Sequence, residues 1–153
     1  MHELIEELQQ YHKEKSRHIF DLEKGVNSLT ANDSPEKSTQ TIQALLEPFQ
    51  NKADVAHHHN EEIILSELRK TSAPIHRRVE EISADHEAFD TMIADNSSKI
   101  VDQSVGCDEL CSRIKRFVAV YNDHANGEEN IFFPIADKYL QDSHRTRIKK
   151  AWK

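Results

Sequence analysis

The sequence predicts an all-α chain, an up-down-up-down four-helix bundle with a short C-terminal helix. Only 3 Gly and 4 Pro punctuate the 153 residues, so few tight turns are on offer. Long segments carry apolar residues at helical spacing and are joined by short connections, which makes consecutive helices antiparallel neighbours. No strand-period alternation competes with that pattern. A chain of this length is expected to be one domain, residues 1–153, able to bury a real core.

The first helix is expected from about Glu3 to Leu29, with apolar positions at Leu4, Leu8, Tyr11, Leu22, Val26 and Leu29. In "TANDSPEK", Ser34 can cap a second helix and Pro35 takes its first position. That helix should run to about Lys70, kinked at Pro48. Pro74 of "TSAP" opens a third, reaching about Ser104. Gly106 marks a stop and Asp108 a start, and the fourth helix extends to about Pro134. The short terminal helix follows the break near "QDS".

Composition removes several classes of function. A net charge of −7 argues against nucleic acid as a partner, and the one basic cluster, "HRTRIKKAWK", is too short to reverse that. No apolar run approaches the roughly 20 residues needed to cross a bilayer, and the polar start "MHELIEELQQ" has no apolar signal core, so a cytoplasmic protein is expected. Cys107 and Cys111 stand four apart, which is neither a CxxC redox pair nor a disulfide framework; small helix residues partly facing the core are the first expectation, and a redox thiol pair is the second.

"HHHNEEIILSEL" sets three consecutive histidines ahead of two glutamates, and three such side chains on a helix point three ways. His57 continues the stripe Ile42, Leu46, Phe49, Ala53 and leads to Glu61, Ile64 and Leu68, so it faces inward. His58 falls among Asp54, Gln50, Glu62 and Arg69 and faces water, with His59 at the flank. "HANGEENIFFP" repeats the motif, since His124 and Glu128 lie on the stripe Phe117, Val120, Tyr121, Ile131, Phe132, Ile135. Two buried carboxylates, each beside a histidine, call for a cation between them.

The other two long helices also supply a histidine. His86 lies on the stripe Val79, Ile82, Phe89, Ile93, Ile100. On the first helix His18 shares a stripe with Leu4, Leu8, Tyr11, Leu22 and Val26, interrupted by Lys15, and His12 competes. The interval from His18 to His57 nearly matches that from His86 to His124, as an internal repeat would have it, and selects His18. The expected metal ligands are therefore His18, His57, Glu61, His86, His124 and Glu128; His2, His12, His58, His59, His76 and His144 are read as surface residues. Imidazole suits iron, zinc, copper and nickel, and carboxylate adds a hard, bridging oxygen donor, with coordination positions left for a small ligand. The residues three before the inward histidines, Lys15, Asp54, Ser83 and Tyr121, disfavour the Glu-x-x-His arrangement of ferritin-like bundles. Tyr121, one turn from His124, is read first as an aromatic core residue whose hydroxyl finds a partner, and second as the candidate donor to a metal-bound ligand.

The segments "RHIF", "HHHNEE", "ADHEAF" and "HANGEENIFFP" resemble the hemerythrin-like, HHE cation-binding family, over nearly the whole chain. The resemblance implies a non-haem centre of two iron ions bridged by Glu61 and Glu128 and by an oxo or hydroxo group. Oxygen carriers of that family pair histidines four apart on the third helix, whereas this chain has Ile82 and Asp90 around His86, with Asp90 as a substitute oxygen donor. They also use a carboxylate five after the fourth-helix histidine, where this chain has Glu129. The set is similar to the bis-histidine, bis-glutamate proteins of nitric oxide response and iron–sulfur repair, and to iron- and oxygen-sensing domains. The function this implies is binding or reaction with oxygen, nitric oxide or peroxide in sensing or stress protection, with enzymatic turnover left open. The alternatives are an iron-responsive interaction module whose folding depends on metal, and a reversible oxygen carrier.

Overall fold

The computed structural model describes residues 1–29, 32–102 and 106–153. It is all-α, with no strand among the described residues. Helix α1 (His2–Ser28) is one leg of the bundle, and α2 (Pro35–Leu46) with α3 (Lys52–Leu68) forms the second. Short α4 (Arg77–Glu80) leads into α5 (Ile82–Asp102), the third leg. The fourth is α6 (Cys107–Gly127), continued through a π-helical turn (Glu128–Phe132) into α7 (Phe133–Tyr139); α8 (Asp142–Ala151) ends the chain. Both α1 and α5 pack against α2 and α6, which closes the legs into a ring.

Local chemistry explains where these elements depart from the sequence reading. Ser34 caps α2 as expected, accepting from the Lys37 amide at 3.2 Å. The second leg breaks rather than kinks: Pro48 sits in a 3₁₀ turn, Glu47–Phe49, and Asn51 caps a new helix by accepting from the Asp54 amide at 3.0 Å. The third leg starts at Arg77, not Pro74, because the His76 side chain accepts the Arg78 amide at 3.1 Å. Its expected end at Ser104 lies outside the described residues. The next helix begins one residue before Asp108, at Cys107. It does not stop at Pro134. The proline lacks an N–H and crowds the carbonyl four residues back, and the helix widens into the π turn just upstream.

Apolar side chains form two clusters along the bundle. One joins Ile19, Leu22, Phe49, Phe89, Ile114, Phe117 and their neighbours. The other joins Leu4, Leu8, Ile64, Leu68, Ile82, Phe132, Phe133 and Ile148. Each leg passes between them through polar residues: 12–15, 54–61, 86 and 124–128. The terminal helix docks on α3; its Arg145 and Lys149 face Glu3, and Arg147 Nε donates to Glu67 at 2.9 Å, so these cations of the basic cluster serve the fold. No helix among the described residues is long and apolar enough to cross a membrane.

Candidate metal centre

Six ionisable side chains, one or two from each leg, meet in the polar layer. His57, Glu61, His86, His124 and Glu128 are buried, the two glutamates completely. The sixth is His12, with its side chain 8% exposed. Their atoms form two groups. His12 Nε2 and His57 Nε2 lie 3.1 Å apart, 3.6 and 2.9 Å from Glu61 Oε1. On the other side His86 Nε2 is 3.3 Å from Glu61 Oε2 and 3.6 Å from Glu128 Oε1, and His124 Nε2 is 3.0 Å from Glu128 Oε1. Glu128 Oε2 returns to the first group, 3.3 Å from His12. Each glutamate thus gives one oxygen to each histidine pair.

Two histidine pairs sharing two carboxylates are a donor set suited to cations. A family model for the hemerythrin HHE cation-binding domain matches residues 3–136. The chain belongs to the hemerythrin HHE cation-binding family. A comparison with curated proteins found no match.

The hemerythrin-type cluster fits a metal on its own geometry. Both oxygens of Glu61, both of Glu128, and the Nε2 atoms of His86 and His124 are buried without a hydrogen-bond partner, although they approach one another closely. Unpartnered buried polar atoms are costly, and six converging on one layer are donors waiting for a cation. Without one, protons supply the positive charge. Burial opposes ionisation of His12, but the adjacent carboxylates of Glu128, Glu129 and Glu61 overcome it and push its pKa up to about 11. His86 likewise rises to about 11 against burial, through Glu128, Glu61 and Glu62. Burial resists the charge on Glu61 too, yet the nearby histidines, His57 foremost, hold it well below the usual carboxylate range.

A second circle of carboxylates orients three of the imidazoles. His86 Nδ1 donates to Glu62 at 3.0 Å, His124 Nδ1 to Asp85 at 3.0 Å and His12 Nδ1 to Glu129 at 2.9 Å. Each bond fixes the tautomer that aims Nε2 at the cluster. The carboxylates are themselves held, Glu62 by Ser83, Asp85 by Arg78 and Glu129 by Gln9. Gly127 leaves room for Arg78, whose Nε would lie 3.0 Å from a Cβ there. His57 instead stacks on Tyr11, ring centroids 4.0 Å apart, and Tyr11 donates to Asp54 at 2.8 Å.

Five of the six sequence-derived ligands meet in this layer. His18 does not: it is exposed, its ring centroid 6.4 Å from that of Phe49. His12 takes the place on α1. The inward stripe there reads Leu8, His12, Lys15, Ile19, Leu22, Val26, and Lys15 belongs to it rather than interrupting it. Its ammonium is buried beside Asp54 at 3.2 Å, near the Pro48 carbonyl and over the rings of Tyr11 and Phe49. Asp90 is exposed and offers the layer nothing. Glu129, the alternative to Glu128, is the partner of His12. His58 is half-buried rather than wet, stacked on His86 at 4.2 Å, and burial lowers its pKa to about 4. Tyr121 is buried among Phe49, Phe89 and Phe117. Burial, then the charges of Asp54, Glu128 and Glu61, keep its phenol protonated. The orienting carboxylates Glu62 and Asp85 escaped the sequence reading, and Glu129 entered it only as an alternative to Glu128, although each is next in sequence to a cluster residue.

Proposed function

We propose that this is a non-haem di-iron protein that binds or reacts with oxygen, nitric oxide or peroxide, in sensing or stress protection, with residues 1–153 acting as one domain. The observation that carries the reading is the division of Glu61 and Glu128, one oxygen of each toward His12 and His57 and the other toward His86 and His124. Two carboxylates that each face both histidine pairs, with two imidazoles per side, would hold a pair of iron ions. Bound iron would supply open coordination positions and redox capacity for a small ligand. The protein's part is to hold and shield. Glu62, Asp85 and Glu129 keep three imidazoles in the ligating tautomer, and the flanking apolar clusters exclude bulk water. A groove of about 370 Å³ between α1 and α3, lined by Tyr11, Ala56, His57 and Asn60 among others, gives solvent a path to the edge of His57. The Tyr121 hydroxyl is the available donor to a ligand held in the layer.

Metal analysis of anaerobically purified protein, followed by optical spectra after separate additions of oxygen, nitric oxide and peroxide, tests this. Two irons per chain and a ligand-specific spectral change are expected. A single tightly held zinc, or iron whose spectrum none of the three alters, would overturn it.

A further inference from the structure

Cys107 and Cys111 are the chain's two cysteines, and they lie outside the metal layer. Cys111 is thirteen residues before His124 on α6, roughly 20 Å along the helix axis. The two Sγ atoms stand 3.9 Å apart, in contact but unbonded, and both residues are partly exposed. Cys107 is the first residue of α6, next to exposed Gly106 and Asp108. Cys111 sits deeper, packed against the apolar cluster with its Sγ 3.8 Å from the Val26 carbonyl. We propose that this pair is a peroxide-oxidisable dithiol that closes into a disulfide within α6 and unwinds the first turn of that helix.

The two thiols have different parts. Cys107, at the helix start, is the one a peroxide meets. Its sulfur, as thiolate, attacks one peroxide oxygen and the O–O bond breaks; the departing hydroxide takes a proton and leaves as water, so that Cys107 becomes a sulfenic acid. Burial, then its bond with Cys107, holds the Cys111 thiol above the usual range, which suits it to wait for that product. The Cys111 sulfur then attacks the Cys107 sulfur, the S–O bond breaks, and the hydroxyl leaves as a second water with the proton Cys111 gives up. Two thiols and one hydrogen peroxide yield one disulfide and two waters.

Geometry supplies the conformational consequence. A disulfide needs sulfurs about 2.05 Å apart and Cβ atoms within about 3.5–4.5 Å. Side chains four apart on an α-helix keep their Cβ atoms roughly 5–6 Å apart. The bond cannot close on an intact turn. Cys111 is held against the apolar cluster and Cys107 is at the helix end, so Cys107 must swing off the helix, releasing the amide of Leu110 from the Gly106 carbonyl, now 3.0 Å away.

The test is titration of the metal-loaded chain with hydrogen peroxide and, in parallel, with diamide, which oxidises thiols without any metal. Thiol count by alkylation, intact mass, non-reducing gels and amide exchange are followed. Expected are joint loss of both thiols in one step, a mass lower by about 2 Da, a monomeric band, and at least about tenfold faster exchange at residues 107–111. Cys111→Ser, which keeps the shape of the side chain, should stop at a dimedone-trappable sulfenic acid on Cys107. Independent oxidation to sulfinic or sulfonic acids, a disulfide between chains, or thiols that survive diamide would overturn the proposal, as would a disulfide that leaves exchange unchanged. Metal content measured alongside keeps this result separate from the fate of the di-iron reading.

Discussion

Replacing His12 and His18 in turn puts the first leg of the bundle to the sharpest test. His12 Nε2 lies within 3.1–3.6 Å of His57, Glu128 and Glu61, and its Nδ1 donates to Glu129. His12→Ala removes a donor from one histidine pair and strands Glu129 beside a void. Removing a residue that merely orients a ligand costs about 10–100-fold in metal affinity, and that range is the floor for losing the ligand itself. His18 is exposed, so His18→Ala should stay within about 0.5 kcal/mol in stability, the range of ordinary surface changes. It should leave metal content untouched. The assay is elemental analysis after equilibration with graded amounts of a competing chelator, with circular dichroism to confirm that each variant folds. His12→Gln, which keeps the volume, guards against a folding defect. Loss of metal in His18→Ala, or full retention in both His12 variants, would show that α1 is turned by about a third of a turn.

Four further outcomes are expected. Asp85→Asn should weaken metal binding about 10–100-fold by competition assay, whereas Asp123→Asn, which also meets Arg78 at 2.9 Å but does not touch His124, should not. Stripping the metal should lower the melting temperature. Binding at a hundredfold excess over Kd contributes about 2.7 kcal/mol, or about 5–11 °C in a domain of this size, and a calorimetric scan unmoved by chelator would contradict it. Lys15→Ala leaves the Asp54 carboxylate, 6% exposed, without its cation and should cost about 3 kcal/mol in urea unfolding. Tyr121→Phe should preserve metal content while changing the spectrum or lifetime of the peroxide-treated protein; an unaltered ligand reaction would leave the ring as packing only.

Most of the architecture follows from periodicity, because each long helix presents one apolar stripe and the chain offers few residues that could break it. The site was legible where the stripe itself carried the polar residue, as at His57, Glu61, His86, His124 and Glu128. It failed on α1 for a specific reason. A lysine is normally read as solvent-facing, but Lys15 is 3% exposed because Asp54, a carbonyl and two aromatic rings surround its ammonium. Taking Lys15 as outward rotates the whole stripe and brings His18 in. The matched spacing between histidines reinforced the error, yet the 3₁₀ turn and the new cap at Asn51 lengthen the second leg and leave no reason for the two halves to share an interval. The orienting carboxylates are harder still. Glu62 reaches from α3 to His86 on α5, Asp85 from α5 to His124 on α6, and Glu129 from the π turn to His12 on α1. Each bond crosses between legs, which helical spacing alone does not encode.

The π turn shows how the fourth leg meets two demands at once. Successive residues on a regular helix point about 100° apart, too far for Glu128 to enter the layer while Glu129 reaches His12 and both Phe132 and Phe133 fill the apolar cluster below. A π turn adds one residue to the circuit and narrows that angle. Glu128 is then fully buried against His124 and His12 while Glu129 keeps its contact with His12 at 2.9 Å, and the two phenylalanines are 0% and 1% exposed. Pro134 sits where the widening ends and removes the amide that would have closed a regular turn onto Asn130. The "GEENIFFP" run is thus a local instruction in which the proline sets the width of the helix and the width sets which carboxylate enters the layer and which one orients His12.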